Sequence, residues 1–353
     1  MKFRIIILLA FLSILFSCSK VNPSPENQGG EIKFADPLVT ETKTTIITSS
    51  EQMIEGYSVF ASKHVTDASG TKQGTMFMNN TKVYKDDGVW KYDANDAYHW
   101  SPGASHKFCG IFPYCDGNSG VLKYSVDVAS GALEVLPREG DYIKTGVEEG
   151  GCPDILYDIV SYDDPFDVYS TPEPVAFHMK HACSIVTFNV TNRSDDNIQS
   201  VSGFLRGADS GGTSTKPGLF DQASSVSIGQ NVVWNDLSVG EGSFEFSTDA
   251  ISTGATAEKA GQKLVIPQNI NTTTNEKDKL YLHLTVVFGN LGNSQKQYHV
   301  CLADIPLTGQ DASLLKTWLP GKNYIYNLNV TSDFITCAVS VIPWIEDEFI
   351  DLK

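Results

Sequence analysis

The sequence predicts an all-β protein, and three observations support this prediction. Several segments alternate apolar and polar residues with a period of two, which is typical of strands that bury one face. Clusters of Gly, Asn, Asp and Pro separate these segments, as turns do between short strands. Helical periodicity is confined to one short candidate at 311–318, so strands and helices do not alternate. We therefore expect two antiparallel β-sandwich domains in tandem.

The individual strands follow from the alternation. It is clearest in residues 280–288, where one face is entirely apolar and the other carries Tyr281, His283 and Thr285. Residues 323–331 repeat it with two tyrosines, a leucine and a valine on the apolar face. Shorter runs predict further strands at 57–62, 107–112, 123–128, 155–161, 184–191, 263–267 and 338–344.

Composition excludes some classes of partner. The chain has 353 residues, a length that fits about two domains, and 41% of them are hydrophobic. It carries 26 Lys and Arg against 42 Asp and Glu, a formal charge of −16. Because such an acidic surface repels phosphate backbones and anionic headgroups, we expect no nucleic acid partner.

The N-terminus has the form of an export signal. Lys2 and Arg4 precede an apolar run at 5–16, which is too short for a membrane-spanning helix of about 20 residues and fits a secretory signal peptide. The run ends in Leu15-Phe16-Ser17-Cys18, which resembles the lipobox of bacterial lipoproteins. This predicts cleavage between Ser17 and Cys18 and lipidation of Cys18. An ordinary signal peptide with a chance cysteine is the alternative.

The domain limits follow from two polar segments. Residues 19–30 are rich in Pro, Ser, Asn and Gly and predict a flexible tether. Residues 163–174 contain three prolines and several carboxylates and predict an interdomain linker. We therefore expect a signal peptide at 1–17, a lipidated tether at 18–30, and sandwich domains at 31–170 and 171–353.

No catalytic arrangement stands out. His178 and His181 have HxxH spacing, but at the start of a strand they point to opposite faces. Ser313 and Lys316 match SxxK without its partner motifs. The carboxylates of the linker lack the spacing of a calcium loop. We expect no metal site, no cofactor and no enzymatic activity.

The cysteines leave two alternatives open. None of the six besides Cys18 belongs to a CxxC pair. Outside the cytoplasm some could form disulfides. Cys109, Cys183 and Cys337 lie inside predicted strands, where a buried thiol serves as a small apolar side chain.

An aromatic group offers an alternative function. Trp90, Tyr92, Tyr98 and Trp100 lie close together in sequence and could stack on sugars as an exposed platform. Each pair is two residues apart and shares one face of a strand, which favours a place in the core. A monomeric surface lipoprotein that binds glycans is nevertheless an alternative.

A series of motifs spans most of the chain. In order, they are Ile32-Lys33-Phe34, Trp90 through Tyr98-His99-Trp100, residues 107–114, Asp154-Ile155-Leu156-Tyr157, residues 175–188, Leu264-Val265-Ile266-Pro267, residues 318–326, and residues 339–344. In this order and spacing they resemble the Bacteroidetes-type fimbrillins, the FimA and Mfa-like lipoprotein subunits of type V pili.

The resemblance implies a fold and a mode of assembly. It implies two transthyretin-like β-sandwiches and export as a palmitate-bearing lipoprotein of the outer membrane. A trypsin-like protease then removes the first strand, and a strand from a neighbouring subunit fills the groove by strand addition. The partners would be other fimbrial subunits, the protease, the membrane through its lipid anchor, and a host glycan or protein ligand.

The same resemblance selects candidate residues. The candidate cut lies between Lys43 and Thr44, with Lys33 as a second candidate, and a chain that is never cut is the alternative. The candidate donor strand lies at 338–352, with an ordinary last strand as the alternative. Its apolar anchors are Val339, Val341, Ile345, Phe349 and Leu352.

The resulting prediction is a stalk or tip subunit of an adhesive pilus, located on the cell surface. An uncut fimbrial anchor lipoprotein is the alternative within the same class. Residues 19–22 contain no Asp or Glu, whereas an acidic export signal often follows the lipidated cysteine in this group. Surface exposure therefore rests on the resemblance, and periplasmic residence stays open.

Overall fold

The computed structural model describes residues 29–39, 53, 55–93, 95, 97–116, 121–128, 130–145, 154–162, 173–207, 220–238, 244–270, 279–289, 294–305 and 316–343. Strands form most of these residues, together with a short 3₁₀-helix at Leu302–Asp304. In these ranges no helix has the length and apolar character needed to cross a membrane. The predicted all-β fold class is confirmed.

The described ranges contain twenty strands, numbered here in chain order. They are β1 (Tyr57–Thr66), β2 (Lys72–Asp86), β3 (Val89–Lys91), β4 (Ser105–Phe112), β5 (Leu122–Val126), β6 (Leu133–Pro137), β7 (Ile143–Lys144), β8 (Leu156–Tyr162), β9 (Lys180–His181), β10 (Ser184–Asn192), β11 (Ile198–Gly207), β12 (Gln222–Ala223), β13 (Ser225–Ile228), β14 (Val232–Asn235), β15 (Glu245–Thr248), β16 (Glu258–Val265), β17 (Leu280–Phe288), β18 (Ser294–Cys301), β19 (Lys322–Val330) and β20 (Ile335–Pro343).

The first sandwich consists of a six-stranded and a four-stranded sheet. The six-stranded sheet has the order β3-β2-β1-β4-β8-β9, and the four-stranded sheet has the order β14-β13-β6-β5. Phe60 and Ile111 of the larger sheet belong to one buried cluster with Val135, Val226 and Trp234 of the smaller sheet. β5 and β6 alternate because one face of each meets this cluster, whereas β1 and β4 are buried on both faces.

Strands from the second half of the chain complete the first sandwich. β13 follows the predicted boundary at 170/171 and pairs with β6, which precedes it, with Val226 opposite Val135. β12 pairs with β7 in the same way, and Gln222 lies opposite Lys144. Sheet pairing therefore crosses the predicted boundary, and the boundary itself stays a prediction.

The second sandwich packs two four-stranded sheets around a larger cluster. Their orders are β16-β10-β19-β20 and β15-β11-β17-β18. Phe188, Leu282, Trp318 and Tyr326 are buried in this cluster. Most neighbouring strands run antiparallel, but β10 and β19 pair in parallel. The apolar faces of β17 and β19 are those that alternation predicts, with every second residue buried.

The sequence located some strands better than others. The predicted runs overlap nine strands, namely β1, β4, β5, β8, β10, β16, β17, β19 and β20. It missed the other eleven, including the long strands β2, β11 and β18. β2 and β18 are rich in polar side chains, many of them exposed, which hides the apolar period in the sequence. The helical candidate at 311–318 lies partly outside the described residues, and within it Thr317 forms an extended bridge with Asn269.

Candidate functional site

The N-terminal segment, residues 29–39, lies as an extended strand between two other segments. On one side it pairs antiparallel with residues 98–100, with backbone N–H···O distances of 3.0 Å from Gly29 to Trp100 and 2.9 Å from Ile32 to Tyr98. On the other side it runs parallel to residues 175–179. There the N–H of Val175 donates to the carbonyl of Lys33, and the N–H of Ala35 donates to the carbonyl of Val175. The N–H of Leu38 donates to the carbonyl of Phe177, and the N–H of Met179 to the carbonyl of Leu38. The four N···O distances are 2.8 to 3.1 Å.

Alternate side chains of the N-terminal segment enter a core. Ile32 and Phe34 are buried, whereas Glu31 and Lys33 are exposed. Phe34 lies edge-on to Tyr92, with ring centroids 6.0 Å apart, and stacks on Phe177 at 6.1 Å. The cluster that these residues share covers the outer face of the six-stranded sheet and is called the segment core. Its other members are Met53, Tyr57, Val59, Ala61, Met78, Val83, Trp90, Trp100, Phe108, Phe112, Leu156, Val175 and Met179.

Polar groups also hold the N-terminal segment. The Tyr92 hydroxyl donates to the Ile32 carbonyl at 2.8 Å inside the core. The Asp36 carboxylate accepts a hydrogen bond from the indole Nε1 of Trp90 and pairs with Lys85 at 3.4 Å. The ion pair is largely solvated and contributes little, but the tyrosine bond is buried.

Tyr57 is a polar exception in the segment core. Its side chain is fully buried between Trp90 and Phe177, at centroid distances of 5.3 and 5.8 Å. Within the described residues its hydroxyl has no hydrogen-bond partner. Burial, and secondarily the charge of Asp36, raises the pKa of this phenol well above its usual value. The group therefore stays neutral at any physiological pH.

The comparisons with known proteins agree with this architecture. The family profile described as fimbrillin-like matches residues 42–344, which is well over half of the chain. The chain belongs to the fimbrillin-like family. No curated protein matches it.

Two solved structures illustrate the likeness. A fimbrial protein from Bacteroides vulgatus ATCC 8482 has 15% identity and a TM-score of 0.57, with 89% of this chain and 99% of that chain covered. The tip fimbrial protein Mfa3 from Porphyromonas gingivalis, solved with a C-terminal truncation, has 12% identity and a TM-score of 0.38, with 83% and 96% covered. The similarity to the Bacteroides vulgatus protein, at 15% identity, shows that this fimbrillin-like chain has the same fold as that protein.

The predicted donor residues of the fimbrillin-like chain fall into two groups. Val339 and Val341 lie in β20, opposite Tyr326 and Tyr324, and are buried in the core of the chain's own second sandwich. The remaining anchors lie outside the described residues, as do the lipidation and cleavage residues. These are Ile345, Phe349, Leu352, Ser17, Cys18, Lys43 and Thr44.

The aromatic group is part of the segment core. Trp90, Tyr92 and Trp100 are buried, and Tyr98 is half-buried against Phe77. The prediction that these side chains face a core is confirmed. They do not form the exposed sugar-binding platform on which the glycan-binding alternative depended.

The two histidines of the HxxH spacing are separated, as predicted. His178 is exposed, whereas His181 is buried and its Nδ1 lies 2.9 Å from an oxygen of buried Asp154. Among the described residues, no group of three or more His, Cys, Asp or Glu side chains could hold a metal ion.

Cys109 and Cys337 fit the interpretation of cysteine as a small apolar side chain. Both are free thiols in the described part of the chain, Cys109 buried and Cys337 half-buried. Burial is the main cause that raises the pKa of each thiol to about 12. These thiols stay protonated at neutral pH, which suppresses their reactivity.

The parallel pairing of the N-terminal segment with residues 175–179 was missed by sequence reasoning. The spacing of Val175, Phe177 and Met179, all buried, signals a strand with one apolar face. A single sequence gives no indication that its partner lies more than 130 residues upstream, because alternation fixes the face of a strand and not its neighbour.

Proposed function

We propose that this fimbrillin-like chain is a fimbrial subunit that assembles by strand exchange at the site of the N-terminal segment. One observation carries the proposal. Residues 29–39 are hydrogen-bonded on both sides and place Ile32 and Phe34 in the segment core, yet they precede the candidate cleavage site at Lys43. A cut there would release an integral strand of the fold.

Loss of the N-terminal segment would leave an unstable site. Burial of a side chain such as Ile32 or Phe34 stabilises a fold by roughly 1.5–3 kcal/mol. The backbone groups of residues 98–100 and 175–179 would also lose their partners, and unpaired buried backbone groups are strongly disfavoured. A strand from a neighbouring subunit restores both sets of interactions, which drives association.

The donor must present apolar side chains two residues apart, as Ile32 and Phe34 are. Val339 and Val341 have this spacing, but they are held in β20 by pairing with β19. The residues after β20 contain Ile345, Phe349 and Leu352, and Ile350 lies two residues before Leu352. We place the donor in residues 344–353, because donation from there leaves the second sandwich intact.

Of the two candidate cuts, Lys43 is favoured over Lys33. The Lys33 carbonyl accepts a hydrogen bond from Val175 at 2.8 Å, within a paired strand that a protease cannot take into its active site. With lipidation at Cys18, a cut after Lys43 separates the body from its membrane anchor and its first strand together. If the chain is not cut, it stays at the membrane as an anchor subunit.

A reversible disulfide lock tests the proposal. Glu31 and His99 are opposite each other, and the hydrogen bonds on either side of them, from Ile32 to Tyr98 and from Trp100 to Gly30, make them a non-hydrogen-bonded pair. Such pairs have Cα atoms about 4.5 Å apart, which suits a disulfide. The test protein is Glu31→Cys with His99→Cys, treated with trypsin and analysed by intact mass and size exclusion.

Strand exchange predicts that the oxidised lock is cut after Lys43 yet keeps the N-terminal segment and stays monomeric. Reduction should release the segment and permit higher-order species, as in wild type after trypsin. Lys43→Ala should prevent the cut, while Lys33→Ala should not. Polymers from the oxidised lock would refute exchange at this site. Wild type that resists trypsin at Lys43 and stays monomeric would favour the anchor subunit.

A further inference from the structure

Two histidines face each other on the outer side of the second sandwich. His283 of β17 and His299 of β18 are directly opposite in the antiparallel register. Their Nδ1 atoms are 2.7 Å apart, and the rings are nearly perpendicular at a centroid distance of 4.7 Å. The Nδ1–H of one ring donates a hydrogen bond to the Nδ1 of the other, so a metal ion bound here would take the place of the shared proton.

The surroundings fix one ring and leave the other adjustable. His283 is 9% exposed and stacks on Phe204 of β11 at 4.9 Å, with an angle of 7° between the ring planes. His299 is exposed and lies on β18, the last strand of its sheet. A fixed ligand paired with an adjustable one is suited to chelation, because little conformational freedom is lost on binding.

We propose that His283 and His299 form a bidentate site for a late first-row divalent metal ion, Cu²⁺ or Ni²⁺. Imidazole nitrogen is a preferred ligand of both ions, whereas Mg²⁺ and Ca²⁺ require oxygen ligands. The chain's formal charge of −16 also raises the local concentration of cations.

The distance between the nitrogens favours a square-planar ion. With metal–nitrogen bonds of about 2.05 Å, two cis ligands at 90° are about 2.9 Å apart, and two ligands of a tetrahedral Zn²⁺ are about 3.3 Å apart. The observed 2.7 Å separation is closer to the first value than to the second, and both rings must turn their Nδ1 lone pairs toward the metal as the hydrogen bond breaks. Water or an added ligand would occupy the remaining positions.

Metal binding should also affect the sheet. Among the described strands β18 pairs with one neighbour, β17, so coordination ties this outer strand to the rest of the sandwich. A ligand that binds only the folded state raises the unfolding temperature by mass action.

The experiment uses full-length protein without a polyhistidine tag, titrated with CuCl₂ and with NiCl₂. Electron paramagnetic resonance of the Cu²⁺ complex should show coupling to two nitrogens, and NiCl₂ should raise the melting temperature. His299→Ala should weaken Ni²⁺ binding by roughly tenfold or more, equivalent to losing one of two ligands. His178→Ala removes an exposed histidine outside the pair and should bind as wild type does.

His299→Ala is the decisive variant because its side chain is exposed and its loss leaves the core intact. Unchanged Ni²⁺ affinity in His299→Ala, or an equal melting shift with MgCl₂, would overturn the proposal. Zn²⁺ binding more tightly than Cu²⁺ would overturn the assignment of a square-planar ion.

Discussion

Two tyrosines of the segment core differ in how their hydroxyl groups are satisfied. Tyr92 donates to the Ile32 carbonyl at 2.8 Å, whereas the buried hydroxyl of Tyr57 has no partner among the described residues. A buried polar group without a partner destabilises the fold, and a buried hydrogen bond stabilises it. The same chemical change at the two positions should therefore have opposite effects.

We expect Tyr57→Phe to raise the free energy of unfolding by about 1 kcal/mol and Tyr92→Phe to lower it by about 1 kcal/mol. Urea denaturation of the uncut chain measures both, and each variant serves as the control for the other. Destabilisation by Tyr57→Phe would mean that its hydroxyl has a partner in the folded chain.

His106 gives the stability of the chain a pH dependence. It is buried, and its Nε2 accepts the backbone N–H of Ser101 at 3.1 Å, next to the strand that pairs with the N-terminal segment. Burial, and secondarily Lys63, lowers the pKa of His106 from 6.5 to about 4. Nε2 can accept this hydrogen bond only while it carries no proton.

The sign follows from proton linkage. Between pH 6.5 and 4 the unfolded chain binds a proton at His106 that the folded chain does not, so stability falls as pH decreases through this window. His106→Gln should flatten the dependence, measured by melting temperature from pH 7 to 4. His64, whose pKa burial also lowers, contributes in the same direction and stays in both proteins. Equal slopes in wild type and variant would refute the assignment to His106.

At the scale of single elements, Phe246 of β15 fits into a space that two glycines leave open. A Cβ atom added at Gly203 of β11 would lie 2.5 Å from the Phe246 ring, and one at Gly261 of β16 would lie 2.5 Å from the Phe246 Cβ. Phe246 in turn stacks on Phe188 at 5.1 Å. The glycines thus allow an aromatic ring to join the edges of two sheets.

We expect Gly203→Ala and Gly261→Ala each to lower the free energy of unfolding by about 1–3 kcal/mol, because both overpack this contact. Gly229→Ala is the matched control, since no described residue has an atom within 4 Å of its added Cβ atom and its change should be within about 0.5 kcal/mol. Denaturant midpoints of the three variants test this. Losses as large at Gly229 would point to backbone strain common to these glycine replacements instead of overpacking.

The sequence predicted strands in which apolar residues recur at every second position, including β10, which is buried on both faces. β17 and β19 are central strands in which every second residue is apolar and buried, so their apolar faces were assigned residue by residue. β2 has 15 residues but buries few of them, and its period was lost among polar side chains. Within the candidate site, the aromatic pairs at 90–100 were predicted to face the core, because aromatic side chains two residues apart share a face, whereas the burial of Phe34 was not predicted.

At the scale of the whole molecule, the sequence could not predict which strands are neighbours. β13 and β6 are about 90 residues apart in the chain, and only the folded structure shows that they pair. The division into halves at 170/171 follows composition, whereas the first sandwich takes part of one sheet from residues 225–235. Local patterns carry no information about such long-range pairing.

This pairing predicts that the first half does not fold alone. A fragment of residues 29–183 lacks β13 and β14, so Ile111 and Val135 would be exposed to solvent. We expect it to bind hydrophobic dyes and to unfold without cooperativity. The same fragment fused through a flexible linker to residues 220–238 should regain cooperative unfolding. A cooperative transition in the unfused fragment would contradict the prediction.

The parallel pairing of β10 with β19 also determines when the second sandwich can form. Asn189 of β10 bonds to Asn327 of β19, 138 residues further along the chain. A chain synthesised from its N-terminus therefore cannot bring the central strands of this sheet together until β19 has been made. Such distant closure makes folding slow, and the second sandwich stays unformed while the strands between β10 and β19 are still being made.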